Sequence, residues 1–344
     1  MPEILVAADL LAAKVAERLR GAGVSEPSAA ATVRALMHAS RVGVDSHGVR
    51  LVPHYCNVVG GGRVNGTPEV TVRRTGPATA IVDGDVGLGH LTAYRATETA
   101  IEIARESGIG AVGAIRSSHF GAAGAYALAI AEAGMVGFAT TNSDSIVGLF
   151  TGQKPFHGTN PLAFSAPVAG EKPWLFDMAT SSIPYNRVML YRSLGLPLPP
   201  NVAADVDGTP TEDAQAAEML MPVGGADFGF KGAALAGVAT LLSAILMGTT
   251  LDHAMIPMVG EEIATPRNMG HFFIAIDPMR FAGAEAFAAG MRSYLAALRS
   301  APAVAGGKVM APGDREWAVE RQRLQDGIPV DPDTAAFFGL GAKS

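Results

Sequence analysis

Cys56 is the only cysteine in 344 residues, so no intrachain disulfide can form and no multi-cysteine zinc site can be built. A reducing, cytoplasmic setting fits that usage. Charged residues make up only 17% of the chain, its lysines and arginines are scattered, and the net charge is −6. There is no electrostatic footprint for a phosphate backbone, which argues against nucleic acid as a partner. The G-x-G-x-x-G spacing is missing from "GDVGLGHL". "GGADFGFKG" falls short of a P-loop, with Phe230 between glycine and Lys231 and Gly232 where Ser or Thr belongs. No H-E-x-x-H occurs and the eight histidines are dispersed, so no metal site is visible. The N-terminal residues mix charges into an apolar pattern, without the order of a signal peptide. The one long apolar run, Lys231 to Leu251, holds three glycines between ordinary loops and reads as a buried core helix, not a membrane span.

What is present is a chain that is 49% apolar, enough for a large globular core. Leu10, Leu11, Val15 and Leu19 predict a helix over 8–21, and Ser25 with Pro27 starts a second one that leads into "SRVGVDSHGVR". "EVTVRRTG" and "TAIVDGD" predict short strands. A helix over 91–107 closes at Gly108 and is followed by the strand "IGAVGAI", the loop "RSSHFGAAG", a helix "AYALAIAEAG" and the strand "MVGFATTN". Two consecutive strands thus deliver polar clusters to one edge, where α/β sheets bind ligands. Residues 151–215 read as short strands and long loops of a mixed or antiparallel sheet. A strand "HFFIAID", a helix over 282–299, a charged helix after Pro312-Gly313 and polar turns complete the chain.

Ser46, His47 and Arg50 crowd the exit of the second helix, with Gly48 loosening the backbone beside the imidazole. His119 lies between a buried strand and a glycine-rich helix start whose amides could bind an anion or an oxyanion. Imidazoles exchange protons near neutral pH, and two in such settings predict an active site; a single one would more often cap its own loop. Lys231 opens the most apolar helix and could grip a phosphate or carboxylate, or only snorkel. Arg50 and Arg267 suit forked recognition of a carboxylate, although a surface ion pair explains either as well. Asp177 caps a turn unless a cofactor ribose lies there. His38, His54, His90, His253 and His271 are read as structural, as is His157, which stands apart because it abuts "GTNP".

The motifs "GVDSHGVRLVPHY", "RSSHFGAAGAYALAIAEAGMVGFATTNSD", "HGTNPLAFSAP", "FDMATS", "DVDGTPTEDA", "FGFKGAALAG" and "TPRNMGHFFIAID" occur in the order found in the malate/L-lactate dehydrogenase type 2 family, which includes sulfolactate and ureidoglycolate dehydrogenase-like oxidoreductases. The resemblance spans residues 5–330. It implies an α/β (α+β) non-Rossmann nicotinamide-binding fold with a largely antiparallel or mixed sheet, helical N- and C-terminal segments, and a homodimer. The implied lobes are 1–135 with 286–344, on the substrate and dimerisation side, and 136–285 for the dinucleotide. His47 and His119 then correspond to the family's catalytic histidines, with Ser46 orienting His47. Ser143, Asp177, Met178, Ala179, Thr180, Ser181, Lys231, Pro312, Gly313 and Asp314 resemble its nucleotide contacts. Thr159 and Asn160, with Arg50 and Arg267, are placed on the substrate side.

The implied activity is hydride transfer between NAD or NADP, NAD ahead, and C2 of a small 2-hydroxy acid/2-oxo acid. A Δ1-pyrroline- or Δ1-piperideine-2-carboxylate (cyclic imino acid) reductase is the alternative, and a non-catalytic dinucleotide-binding protein is the alternative of another class. Three departures from the family pattern mark a subfamily. Leu51 holds the slot four residues after the S-H-G histidine, where an arginine is usual; Asn186 and Arg187 replace the usual G-K; and "FTGQKPFHG" brings His157 close to the site.

Overall fold

The computed structural model describes residues 4–340. Strand β1 (Ile4–Val6) precedes helices α1 (Ala8–Gly21) and α2 (Glu26–Arg41). Leu11, Val15 and Leu19 recur every four residues on α1 and are fully buried, one apolar stripe against the core. Pro27 occupies the first turn of α2, where no amide is needed. Two 3-10 turns, Asp45–His47 and Val49–Leu51, lead into α3 (Val52–Gly60), β2 (Thr71–Gly76), β3 (Thr79–Asp83), α4 (Gly89–Ser107), β4 (Ile109–Ser117), α5 (Gly124–Glu132) and β5 (Val136–Thr141). Next come β6 (Val147–Gly148), β7 (Pro155–His157), β8 (Leu162–Ala166), β9 (Trp174–Met178), α6 (Tyr185–Leu194), β10 (Ala203–Ala204), β11 (Met219–Leu220) and α7 (Gly225–Thr240), which continues as a π-helical turn over Leu241–Ile245. The chain ends with β12 (Met269–Ile276), α8 (Ala284–Arg299), α9 (Asp314–Asp326), β13 (Ile328–Val330) and α10 (Pro332–Phe337).

Seven strands form the main sheet in the order β2-β3-β4-β12-β5-β8-β9. Only β3 and β4 pair in parallel; the other pairs are antiparallel. This is the mixed sheet the sequence predicts. Because β12 runs antiparallel to both β4 and β5, those two strands end on the same edge and β12 begins there. The loops that follow β4 and β5 and the one that precedes β12 therefore meet. The sheet takes β2 to β4 from the segment assigned to one lobe and β5, β8, β9 and β12 from the other.

Glycines set the packing on β4. A Cβ on Gly110 would collide with the Ala100 carbonyl of α4, and one on Gly113 with Met247 beyond α7. Residues three apart on a strand face opposite sides, so α4 covers one face and the α7 extension the other. The helix expected over 231–251 starts at Gly225, and only one side of it enters the core. Gly229, Gly232, Ala236, Ala239 and Thr240 are buried, whereas Leu235, Val238, Leu241 and Ile245 are exposed.

Two segments correct the sequence reading. Residues 151–215 carry helix α6 as well as strands. The polar turns expected after α9 are instead β13, paired with β1, and α10. Ile328, Val330 and Phe338 fill the core beneath α1 to α3; a three-residue strand whose partner lies more than 320 positions away leaves no periodic signal.

Candidate active site

The turns after α2 are fixed from two sides. Ser40 Oγ accepts the Val49 amide at 3.0 Å, and Arg323 of α9 grips Asp45 with both Nη atoms at 2.5 and 2.8 Å. Gly48 has extended backbone angles; it is needed because a Cβ there would strike Ser40 Oγ, and not to loosen the chain. His47 is thereby presented half-buried, with Ser46 Oγ 2.9 Å from its Nδ1.

His119 leaves the end of β4. Its backbone rests against Gly89, where a Cβ would overlap the Ser118 and His119 carbonyls. Ser118 Oγ accepts the Gly89 amide and donates to the Gly87 carbonyl. The His47 and His119 rings stack with centroids 5.9 Å apart, so the two histidines predicted to converge do so. Tyr55 of α3, which the sequence reading did not single out, places its hydroxyl 2.7 Å from His119 Nδ1.

Arg267 lies at the entrance to β12. Its Nε donates to the Ile256 carbonyl at 2.9 Å, an Nη pairs with Asp144 after β5, and its Nη1 has no partner among the described residues. Arg63 is buried beside the same segment. It donates to the Pro257 and Met258 carbonyls, while its Nε and Nη2 have no partner among the described residues. Arg50 is exposed and acts on Asp331 at the start of α10; its guanidinium is not among the groups acting on the histidine pair.

Burial holds the imidazoles neutral. His47 and His54 are pushed down to about 4, His54 by desolvation first and then by Arg267 and Arg63. His119 is held well below its usual range by desolvation first, then by His47, Arg267, His90 and His54. His271 sits between Thr141 Oγ1 and Ser117 Oγ, each at 2.7 Å, and with His38 and His90 it is pushed down to about 3 by burial. Unfolded, these three take up a proton as pH falls through 6.5; folded, they stay neutral until about 3. The unfolded chain therefore binds more protons across that window and stability falls with pH. Three groups give a slope of roughly 4 kcal/mol per pH unit. Asp177, pushed up to about 6 by burial, opposes them, but the residue is exposed and its effect is screened. Urea midpoints at pH 7 and 5.5 check this: the expected result is a marked drop at pH 5.5, and equal midpoints would mean that these imidazoles are not enclosed.

The residues assigned to the dinucleotide fall into two groups. Thr159 N reaches Ser143 Oγ at 3.2 Å, Thr180 donates to the Thr159 carbonyl through its amide and its Oγ1 at 2.8 and 3.0 Å, Ser181 bridges to Pro222, and Val223 N donates to the Thr180 carbonyl. This strip, flanked by Met178 and Ala179, runs into the glycine start of α7, which has no side-chain cap, and Lys231 stands exposed on that helix between Phe228 and Phe230. Uncapped amides beside a cation fit an anionic pyrophosphate. The second group, Pro312 to Asp314, lies at the other end of β9: the Pro312 carbonyl accepts the Leu175 amide at 3.4 Å, and Asp314 is taken by Arg299. Asp177 accepts the Gly124 amide at 2.8 Å and so caps α5, not the turn that follows it.

Asn160 differs from its expected role on the substrate side. It is fully buried and spends both ends of its amide internally, Oδ1 on Ser143 N and Nδ2 on Asp252, Ala236 and Thr240. His157 is joined to the same Asp252. Two surface hollows of about 280 and 440 Å³, beside Leu324–Gly327 and Tyr191–Gln215, contain none of these residues.

A family model described as malate/L-lactate dehydrogenase matches residues 6–337. Over 336 residues the chain is 35% identical to a malate dehydrogenase of Pyrococcus horikoshii, covering 95% of this chain and 91% of that one. It is 31% identical to an Escherichia coli ureidoglycolate dehydrogenase (NAD(+)), with coverage of 94% and 92%. It is 35% identical to a (2R)-3-sulfolactate dehydrogenase (NADP(+)) of Chromohalobacter salexigens, with coverage of 89% and 88%. The fold is that of the crystal structure of malate dehydrogenase from Entamoeba histolytica, with a TM-score of 0.91, 27% identity and coverage of 99% and 100%.

Proposed function

This chain belongs to the malate/L-lactate dehydrogenase family and is an NAD(P)-dependent dehydrogenase acting on CH–OH donors, and on that premise we propose how its own residues serve a small 2-hydroxy acid. The nicotinamide, when bound, supplies the hydride acceptor or donor. His47 and His119 flank the substrate oxygen, and the unpartnered Nη1 of Arg267 holds the carboxylate beside them. The stacked pair carries this reading, since each ring has its Nδ1 occupied by a hydroxyl and no partner on Nε2 among the described residues. Ser143, Thr180 and Ser181 line the dinucleotide strip, and Lys231 with the α7 amides meets its phosphates.

The test is nicotinamide absorbance with NADH and NADPH separately against pyruvate, oxaloacetate, branched 2-oxo acids, sulfopyruvate and cyclic imino acids. Turnover of a 2-oxo acid is the expected result. Turnover of cyclic imino acids alone would replace C=O by C=N chemistry, the activity named for a Pseudomonas syringae Δ1-piperideine-2-carboxylate reductase of the same fold, TM-score 0.86 and 28% identity. Silence with both cofactors would overturn the substrate reading.

We also infer a homodimer. The exposed stripe of Leu235, Val238, Leu241, Ile245 and Leu246 along α7 and its extension supports burial against a second copy. Sedimentation at twice the 35.3 kDa chain mass is the expected result, and a monomer at micromolar concentration would refute it.

A further inference from the structure

We infer that Tyr55 is a positioning residue that fixes His119 in the tautomer carrying its proton on Nε2, so that His119 holds the substrate oxygen by a hydrogen bond and leaves proton transfer to His47. The inference rests on the dehydrogenase reading above and adds a division of labour between the two histidines.

The argument is one of satisfying hydrogen bonds. Tyr55 is 1% exposed, and its hydroxyl has one partner among the described residues, His119 Nδ1 at 2.7 Å. If Nδ1 carried the proton, the phenol would accept it and its own O–H would be left buried with no acceptor, at a cost of about 1–3 kcal/mol. If the phenol donates, Nδ1 is bare, both ends of the Tyr55–His119 contact are matched, and the neutral ring carries its proton on Nε2, free for the substrate oxygen. Burial raises the Tyr55 hydroxyl above its usual range, so it keeps its proton to donate.

His90, whose ring meets Tyr55 edge-on at 4.9 Å, does not offer an alternative. Thr32 Oγ1 spends its proton on the Ser28 carbonyl at 2.8 Å, so His90 Nδ1 must donate to Thr32 across 3.2 Å and holds no proton on Nε2. A bare Nε2 is an acceptor, but it makes no hydrogen bond to the Tyr55 hydroxyl or to any other described residue. The other charged and titratable groups acting on His119, namely His47, His54 and Arg267, bias it toward the neutral form.

His47 is not locked in this way. Ser46 Oγ is half-buried and can donate or accept, so His47 can carry its proton on Nδ1 with Nε2 bare. In oxidation of the 2-hydroxy acid, the O–H proton passes to His47 Nε2, the O–H electron pair becomes the new C=O bond, and the C2–H pair leaves as hydride to the nicotinamide. His119 cannot take that proton, because its Nε2 is already protonated. It donates a hydrogen bond to the oxygen throughout, as a neutral imidazole can.

Long-range proton–nitrogen correlation spectra of the full chain with 15N-labelled histidine read the tautomer directly, with His119 assigned by its loss in His119→Gln. The expected result near pH 7.5 is a protonated Nε2 and a bare Nδ1 in the parent, and a mixture of tautomers in Tyr55→Phe. Tyr55→Phe should also lower kcat about tenfold with KM and dinucleotide affinity unchanged. An Nδ1–H tautomer in the parent, or an unchanged tautomer in a folded Tyr55→Phe, would overturn the inference. Because the spectra need no turnover, failure of the substrate panel and failure of this assignment are separate outcomes.

Discussion

His47→Ala and His119→Ala should each lose most of the turnover while binding the dinucleotide as the parent does. A positioned acid or base contributes about 10²–10⁴ in rate, and a fixed donor on a developing oxyanion about 10²–10³, so kcat should fall by those factors in the two variants. The binding prediction follows from placement. Both rings stand where the turn after α2 meets the end of β4, whereas the strip of Ser143, Thr159, Thr180 and Ser181 is tied to the start of α7. Among the described residues neither histidine ring bonds to that strip; their partners are Ser46 and Tyr55. Fluorescence titration with NADH and NADPH, beside steady-state kinetics on whichever acid the panel selects, checks both halves. Full activity in either variant would remove that histidine from the chemistry. Loss of dinucleotide affinity equal to the loss of kcat would instead make the ring a binding group.

The parts legible in the sequence were those with a local signal. Leu11, Val15 and Leu19 mark α1, Gly108 marks the end of α4, and the strands after α4 and α5 are continuous apolar runs; the structure has all of them. Loop placement puts His119 at a strand's carboxyl edge, which is a property of topology; that His47, which follows a helix, meets it there was implied by the family resemblance. What remained hidden depends on contacts distant in sequence. Tyr55 falls at helical spacing with Val52 and Val58 and looks like core, which most of its ring is; nothing nearby tells that its hydroxyl meets a residue 64 positions away. Arg50 illustrates the reverse, a charged residue three positions from His47 that is exposed and acts on Asp331 at the start of α10. The internal bonding of Asn160 in "GTNP" was hidden for the same reason: its partners lie 17 to 92 residues away.

Asp252→Ala should be the most destabilising single change near the site. Asp252 is 1% exposed and joins four separate segments. Its Oδ2 lies 2.7 Å from Asn160 Nδ2, 2.9 Å from Thr240 Oγ1 and 3.2 Å from both Gly158 N and His157 Nδ1, and its Oδ1 lies 3.0 Å from Asn142 Nδ2. Burial alone would raise its pKa, but the hydrogen bonds from His157, Asn160, Asn142 and Gly158 together hold it below the usual range, so it is the fixed anion of the network. Truncation takes the acceptor from the Gly158 amide, one Asn142 Nδ2–H and His157 Nδ1, while Asn160 Nδ2 and Thr240 Oγ1 keep the Ala236 carbonyl; at about 1–2 kcal/mol each that is roughly 3–5 kcal/mol in total. For a chain of this length that is a drop in Tm of about 5 °C. The effect should extend to the dinucleotide strip, because Asn142 adjoins Ser143 and Asn160 adjoins Thr159, so affinity for NADH or NADPH should fall about tenfold, some 1.4 kcal/mol. Asp252→Asn should fall between: its oxygen can face the Asn160 side, but its amide then points a donor at Asn142 Nδ2. Thermal melts and dinucleotide titrations of both variants decide the matter. If Asp252→Ala melts within 1 °C of the parent, about a fifth of that shift, the carboxylate does not hold these loops together, and the order of the strip must come from the backbone bonds among Thr159, Thr180 and Val223 alone.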